Sequence, residues 1–248
     1  MLPFIQKTPT QRELPLGPVP VPVAGQVAEP LTPMVAEPLT FPQRMMQAIR
    51  PPQQQQQGQR GGPPPTSRAG KLVPGRPLPH IVLSTVQGGK IELGAPTGRW
   101  QMIVVYRGKH CPVSKNYLAS LQQIYYELDE LGVEVIAVSG DGRERAESFL
   151  EALKATTDTK EVSFKIAYGL PISEMLRWGL YISEPRNIRE TDQPFPEPAL
   201  FLLNPDGEVV VIDYSNSPFA RPDLRILVEG IRYIQENDYP VRGTWGLA

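Results

Sequence analysis

The chain has 248 residues and 29 prolines, and 18 of those prolines fall within the first 80 positions. A stretch this rich in proline, with a Gln53 to Gln57 run and the triplet Pro63-Pro64-Pro65, cannot close a continuous hydrogen-bonded ladder, so about 165 residues are left to form one well-buried core. The formal net charge of -1 conceals an asymmetry, because residues 1–76 hold eight Lys/Arg against three Glu, net +5, and the remainder is net -6.

Five spare positive charges, scattered and nearly free of aromatics, argue against nucleic-acid binding. One cysteine excludes an intrachain disulfide and, with two histidines, a zinc site of the usual Cys/His kind. No apolar run approaches the roughly 18 residues that span a bilayer, and Met1 to Lys7 has neither a basic start nor a long apolar stretch. The expectation is a protein of the reducing cytoplasm, away from membranes.

Residues 1–75 read as a Pro/Gln-rich disordered or partner-bound extension, and residues 76–248 as the folded domain. Within the extension Val-Ala-Glu-Pro-Leu-Thr occurs at 27–32 and again at 35–40. This is either drift in a low-complexity linker or a duplicated short motif for one protein partner. Residues 41–50 place Met45, Met46 and Ile49 on one helical face, too short to be stable alone.

From Leu78 onward the elements alternate. Ile81 to Val86 and Ile91 to Leu93, joined through Gly88-Gly89, predict a β-hairpin. Gln101 to Tyr106 is a short apolar run of the kind buried in a sheet. A helix is expected from near Pro112, with the apolar residues Tyr117, Leu118, Leu121, Ile124, Tyr125, Leu128 and Leu131 recurring every three or four positions until Gly132 stops it. Val133 to Val138 is the next strand, giving a right-handed βαβ unit, and a helix through Ala146, Phe149, Leu150 and Leu153 follows. Val162 to Ala167 reads as a strand and Ser173 to Trp178 as a short helix. Ala199 to Leu203 and Glu208 to Ile212 flank the turn Asn204-Pro205-Asp206-Gly207. The last helix is expected from Pro222, with Asp223 in its first turn and an apolar face of Leu224, Leu227, Val228, Ile231 and Ile234. The predicted fold is α/β, a central mixed sheet with helices on both faces and an N-terminal β-hairpin.

Cys111 sits between a buried strand and the first turn of a helix, in Tyr106-Arg107-Gly108-Lys109-His110-Cys111-Pro112-Val113-Ser114. Free N–H groups and the helix dipole stabilise an anion there, and Arg107, Lys109 and His110 add positive charge nearby. Pro112 presets the first helical backbone angle. The plainer reading is a small residue filling a gap.

These elements, Cys-Pro opening a long helix, the strand VEVIAVSGD and the later stretch Pro198 to Gly207, resemble the thioredoxin-fold superfamily. Within it they resemble the peroxiredoxin-like branch named for alkyl hydroperoxide reductase and thiol-specific antioxidant, over roughly residues 76 to 240. The resemblance implies a nucleophilic Cys111. Ser114 stands where Cys-x-x-Cys relatives have a second cysteine, so an external thiol or thioredoxin-like reductant would have to resolve the oxidised sulfur. The proline and the Thr or Ser that peroxiredoxins place seven and three residues before the cysteine are here Val104 and Gly108. Their late-strand arginine is replaced by Pro198, which resembles the cis-proline beside the thioredoxin active site. Arg107 and Arg221 are the candidate substitute cations.

The expected site is thus Cys111, Arg107, His110 and Pro198, with no cofactor and no metal. His110 is expected to act electrostatically rather than as a base for its neighbour. His80 reads as a surface residue, Trp100, Trp178 and Trp245 as core or edge packing, and Asp129, Glu130, Asp141 and Glu147 as solvated. Two functions remain open: a monothiol oxidoreductase, and a redox-silent binding module whose arm docks onto a larger assembly.

Overall fold

Uninterrupted apolar runs belong in the middle of a sheet that is covered on both faces, and the computed structural model, which describes residues 70–245, places them there. The elements are β1 (Ile81–Thr85), β2 (Lys90–Leu93), β3 (Trp100–Val105), α1 (Pro112–Glu130), β4 (Val133–Val138), α2 (Arg143–Thr157) and β5 (Lys165–Tyr168). They continue with α3 (Ile172–Arg177), β6 (Ile182–Ser183), β7 (Phe195–Pro196), β8 (Ala199–Leu203), β9 (Val209–Tyr214) and α4 (Leu224–Asn237). The repeat at 27–40 and the segment 41–50 lie outside the described residues.

Seven strands form one mixed sheet in the order β2-β1-β5-β4-β3-β8-β9, the thioredoxin-like arrangement expected. The crossover through α1 makes β3 and β4 parallel, Trp100 facing Val133 and Val105 facing Val138. β8 then returns antiparallel on the other side of β3. One face packs Met102, Val104, Val135, Leu200 and Leu202 against α1, α2 and α4. The other packs Ile103, Val105, Ile136, Phe201 and Leu203 against Met175 and Trp178 and against the hairpin residues Leu83, Ile91 and Leu93. Every residue of β8 is buried, as a strand covered on both faces requires.

Four details differ from the sequence reading. The strand expected at 162–167 is Lys165–Tyr168, because Val162 and Phe164 are core residues of the approach rather than rungs of the ladder. The short antiparallel pair β6·β7 was not anticipated, since two-residue strands carry no periodicity. Asp223 caps α4 rather than sitting within it, accepting the N–H groups of Arg225 and Ile226 at 2.9 and 3.0 Å. Trp245 is 98% exposed, whereas Trp178 is fully buried and its indole N–H donates to the Pro79 carbonyl at 3.2 Å.

Residues 70–78, partly assigned above to the extension, lie along the domain. The Gly75 N–H donates to Val209 O at 2.8 Å, the Val209 N–H donates to Arg76 O at 3.0 Å, and Leu78 is buried beneath them. Lys71 lies between the rings of Tyr181 and Tyr214, its Nζ 4.1 and 4.2 Å from their centroids.

Candidate active site

Cys111 is the residue that caps α1. Its extended backbone (φ -101°, ψ 105°) turns the chain into the helix, Pro112 opens the first turn, and the sulfur accepts the Ser114 N–H at 3.4 Å. The sulfur thus lies at the N-terminal end of a 19-residue helix, in contact with a main-chain donor of its first turn. The thiol is 2% exposed and sits against the core.

Arg107 lies two residues beyond the end of β3, and its guanidinium reaches the sulfur, Nη1 lying 3.8 Å from Sγ. Three groups from the segment around β7 hold it. The Phe195 ring lies 4.6 Å from the guanidinium carbon, Glu190 takes Nη2 at 3.5 Å, and Glu197 faces Nε at 3.1 Å. Glu190 is itself bound by the main-chain and side-chain N–H groups of Arg186. Burial would raise its proton affinity, but those bonds and Arg107 outweigh burial and hold the carboxyl below its ordinary range.

His110 is next to the cysteine, yet its ring packs 4.5 Å from Phe195 and its Nε2 is buried without a partner. Burial, then the Arg107 charge, depress its ionisation to about 4. It is therefore a neutral imidazole at physiological pH, and the expectation that it adds positive charge beside the sulfur is corrected.

On the opposite flank Ser114 is fully buried, and its hydroxyl accepts Arg221 Nη2 at 2.9 Å. Arg221 also donates to Pro218 O and lies over the Tyr117 ring. Both candidate cations thus reach the cysteine turn, Arg107 directly and Arg221 through Ser114. Pro198 is buried at the start of β8 and its carbonyl accepts the Ser215 N–H at 2.9 Å. Its peptide bond is trans, which corrects the cis-proline expected there.

A family profile described as the AhpC/TSA family matches residues 74–212. The chain belongs to the AhpC/TSA family. Among curated relatives, the thiol-disulfide oxidoreductase ResA of Bacillus thuringiensis (strain Al Hakam) is 26% identical over 140 residues, covering 56% of this chain and 69% of that protein. The ResA of Halalkalibacterium halodurans is 26% identical over 134 residues, covering 54% and 64%. Among solved structures, a cysteine-to-serine mutant of the peroxiredoxin 6 of Arenicola marina superposes with a TM-score of 0.56 at 18% identity, over 66% of this chain and 74% of that one. A peroxiredoxin-like protein from Aquifex aeolicus superposes with a TM-score of 0.54 at 18% identity, over 66% and 89%. At such identities these structures establish a shared fold.

This AhpC/TSA chain departs from the peroxiredoxin motif at Gly108, and the structure gives the reason. Gly108 has φ +127°, and a Cβ placed there would meet the Asp141 carboxylate oxygens at 2.8 and 3.0 Å. Asp141, read from sequence as solvated, is 4% exposed; it accepts the Lys109 N–H, and burial raises its proton affinity above the ordinary carboxylate range. A carboxyl from the turn after β4 therefore fills the space that a side chain at 108 would need. Asp141, Glu190, Phe195 and Glu197 were all missed by sequence reasoning. The only signal toward the two glutamates was that a buried Arg107 needs a counter-charge.

Proposed function

We propose that the chain is a monothiol, peroxiredoxin-like oxidoreductase in which the Cys111 thiolate reduces a peroxide. The observation that carries this reading is the sulfur's position at the helix N-terminus, accepting the Ser114 N–H with Arg107 Nη1 at 3.8 Å. The thiolate attacks the terminal oxygen of a hydroperoxide; an S–O bond forms, the O–O bond breaks, and the alkoxide or hydroxide leaves and takes a proton from solvent. The sulfur keeps the transferred hydroxyl as a sulfenic acid. Arg107 offers a donor to the charge that moves from sulfur to the leaving oxygen.

The sequence holds no second cysteine, so an external thiol must complete the cycle. One thiol condenses with the sulfenic acid, forming a mixed disulfide and releasing water. A second attacks that disulfide, freeing Cys111 and carrying away the oxidised pair. A disulfide substrate would enter at the mixed-disulfide stage. A solved yeast mitochondrial 1-Cys peroxiredoxin, TM-score 0.57 at 16% identity over 67% of this chain and 78% of that one, is described as resolved through glutathione and thioredoxin systems. A small thiol or a thioredoxin-like protein is the corresponding partner here.

The burial of Cys111 favours a second reading, in which the thiol only packs and the domain is a binding module. Hydrogen peroxide with dimedone, read by intact mass, separates the two. The first reading requires an adduct on the native chain and none on Cys111→Ser. A native chain that gains no adduct, while its unfolded form still reacts with a thiol reagent, would leave the binding module.

A further inference from the structure

We propose that Glu197 is a positioning residue for this reaction, holding the Arg107 guanidinium so that Nη1 faces the Cys111 sulfur. The inference rests on the thiolate chemistry above and adds a residue to it.

Glu197 is a carboxylate whose side chain is 5% exposed, in the segment between β7 and β8. A charge taken so far out of water is retained only where it is paired and bonded. Its two oxygens divide the work. Oε1 accepts the Ser183 hydroxyl at 2.7 Å, which ties the carboxylate to β6, while the Glu197 N–H donates to Tyr181 O at 2.8 Å. Oε2 faces Arg107 Nε at 3.1 Å as an ion pair without an aligned hydrogen bond, and neither atom has a hydrogen-bond partner among the described residues, so each is the other's one compensation. Glu190, the other carboxylate at Arg107, is shared with Arg186. Glu197 has no other cation within 4 Å among the described residues, and it abuts the Nε side of the guanidinium, whose carbon lies over the Phe195 ring. With Nε and Nη2 so occupied, Nη1 is left for the sulfur.

Charge alone would work against the thiolate. Glu197 cancels the charge of Arg107, so the pair brings no spare positive charge to Cys111; it brings a directed N–H. The two accounts of Glu197 therefore differ in sign. As a bare negative charge near the sulfur it disfavours the thiolate, and removing it should increase ionisation. As the stop that orients Arg107 it favours the thiolate, and removing it should decrease ionisation.

The experiment reads the ultraviolet absorbance of the thiolate in the full chain, with Cys111→Ser as the blank, at the pH where half of the native thiol is ionised. The chain has a single cysteine, so the whole signal belongs to Cys111. Glu197→Gln should lower the thiolate-to-thiol ratio about tenfold, the loss expected when one charge-assisted hydrogen bond goes. Glu197→Asp keeps the charge but withdraws it by one methylene, and should lower the ratio too. In an Arg107→Met background Glu197→Gln should no longer lower the ratio, because the group it acts through is gone. A ratio that rises or stays unchanged in folded Glu197→Gln overturns the proposal. Should that variant fail to fold, an unchanged ratio in Glu197→Asp does so. Absence of the dimedone adduct from the native chain would instead overturn the peroxide reading, which this absorbance measurement does not touch.

Discussion

Gly108 is the residue on which the active-site turn closes, and it is open to a simple test. Its positive φ and the Asp141 oxygens at 2.8 and 3.0 Å from a would-be Cβ mean that alanine there is both strained and crowded. Gly108→Ala should therefore cost about 2 kcal/mol of stability, measured as a shift of the urea midpoint. His110 supplies a pH test. Its native ionisation, depressed to about 4 by burial and by Arg107, lies below that of an unfolded histidine near about 6.5. Between those values the unfolded chain binds a proton that the native one does not, so stability is complete above the unfolded value and is lost as the pH falls toward about 4. Urea midpoints taken at neutral pH and near about pH 5 should converge in His110→Gln relative to the native chain, since glutamine binds no proton. Unchanged pH dependence in the variant would mean that the native imidazole titrates like an exposed one.

At the scale of elements, α1 and α4 depend on the residues that cap them. Asp223 satisfies two N–H groups of α4, and Asp223→Ala should cost about 1 kcal/mol in thermal unfolding. In α1, Ser114→Cys would set a second thiol across the first turn from Cys111, where the Ser114 main chain already touches the sulfur. That variant should reduce insulin disulfides while the parent does so very little, and equal activity in both would remove Ser114 from the resolving position. Much of this level was legible beforehand. The helix of Leu118, Leu121, Ile124 and Leu128 and the runs at 101–106, 133–138 and 199–203 announce themselves because periodicity and uninterrupted apolarity persist over several residues. β6 and β7 do not, since two residues show no period, and their pairing is decided by a contact between distant segments. That is also why the site was only half visible. Cys111 and Arg107 share one local stretch, but Glu197 reaches Arg107 through β7 and the sheet, across a separation in sequence that no local pattern records.

At the largest scale described, the domain of residues 70–245 is a sheet covered on both faces, and the first of these residues complete the cover. Leu78 is 1% exposed beneath the segment that runs beside β9. Leu78→Ala should destabilise the domain by about 3 kcal/mol, as a buried leucine truncated in a packed core does, and a calorimetric melt would show it. The two margins of the sheet are guarded by different means. β2 is four residues long and turns Lys90 and Glu92 outward, so a strand arriving from another molecule would meet charge. β9 opens with the apolar Val209-Val210-Val211-Ile212 and carries one charged side chain, Asp213; Gly75 and Arg76 pair with Val209 at its start, and the Leu72 N–H donates to the Tyr214 hydroxyl at the far end. A chain shortened to begin at His80 would lose the pairing at Val209 and the bond to Tyr214, and should associate through this margin more readily than the full chain, which light scattering at matched concentration would show.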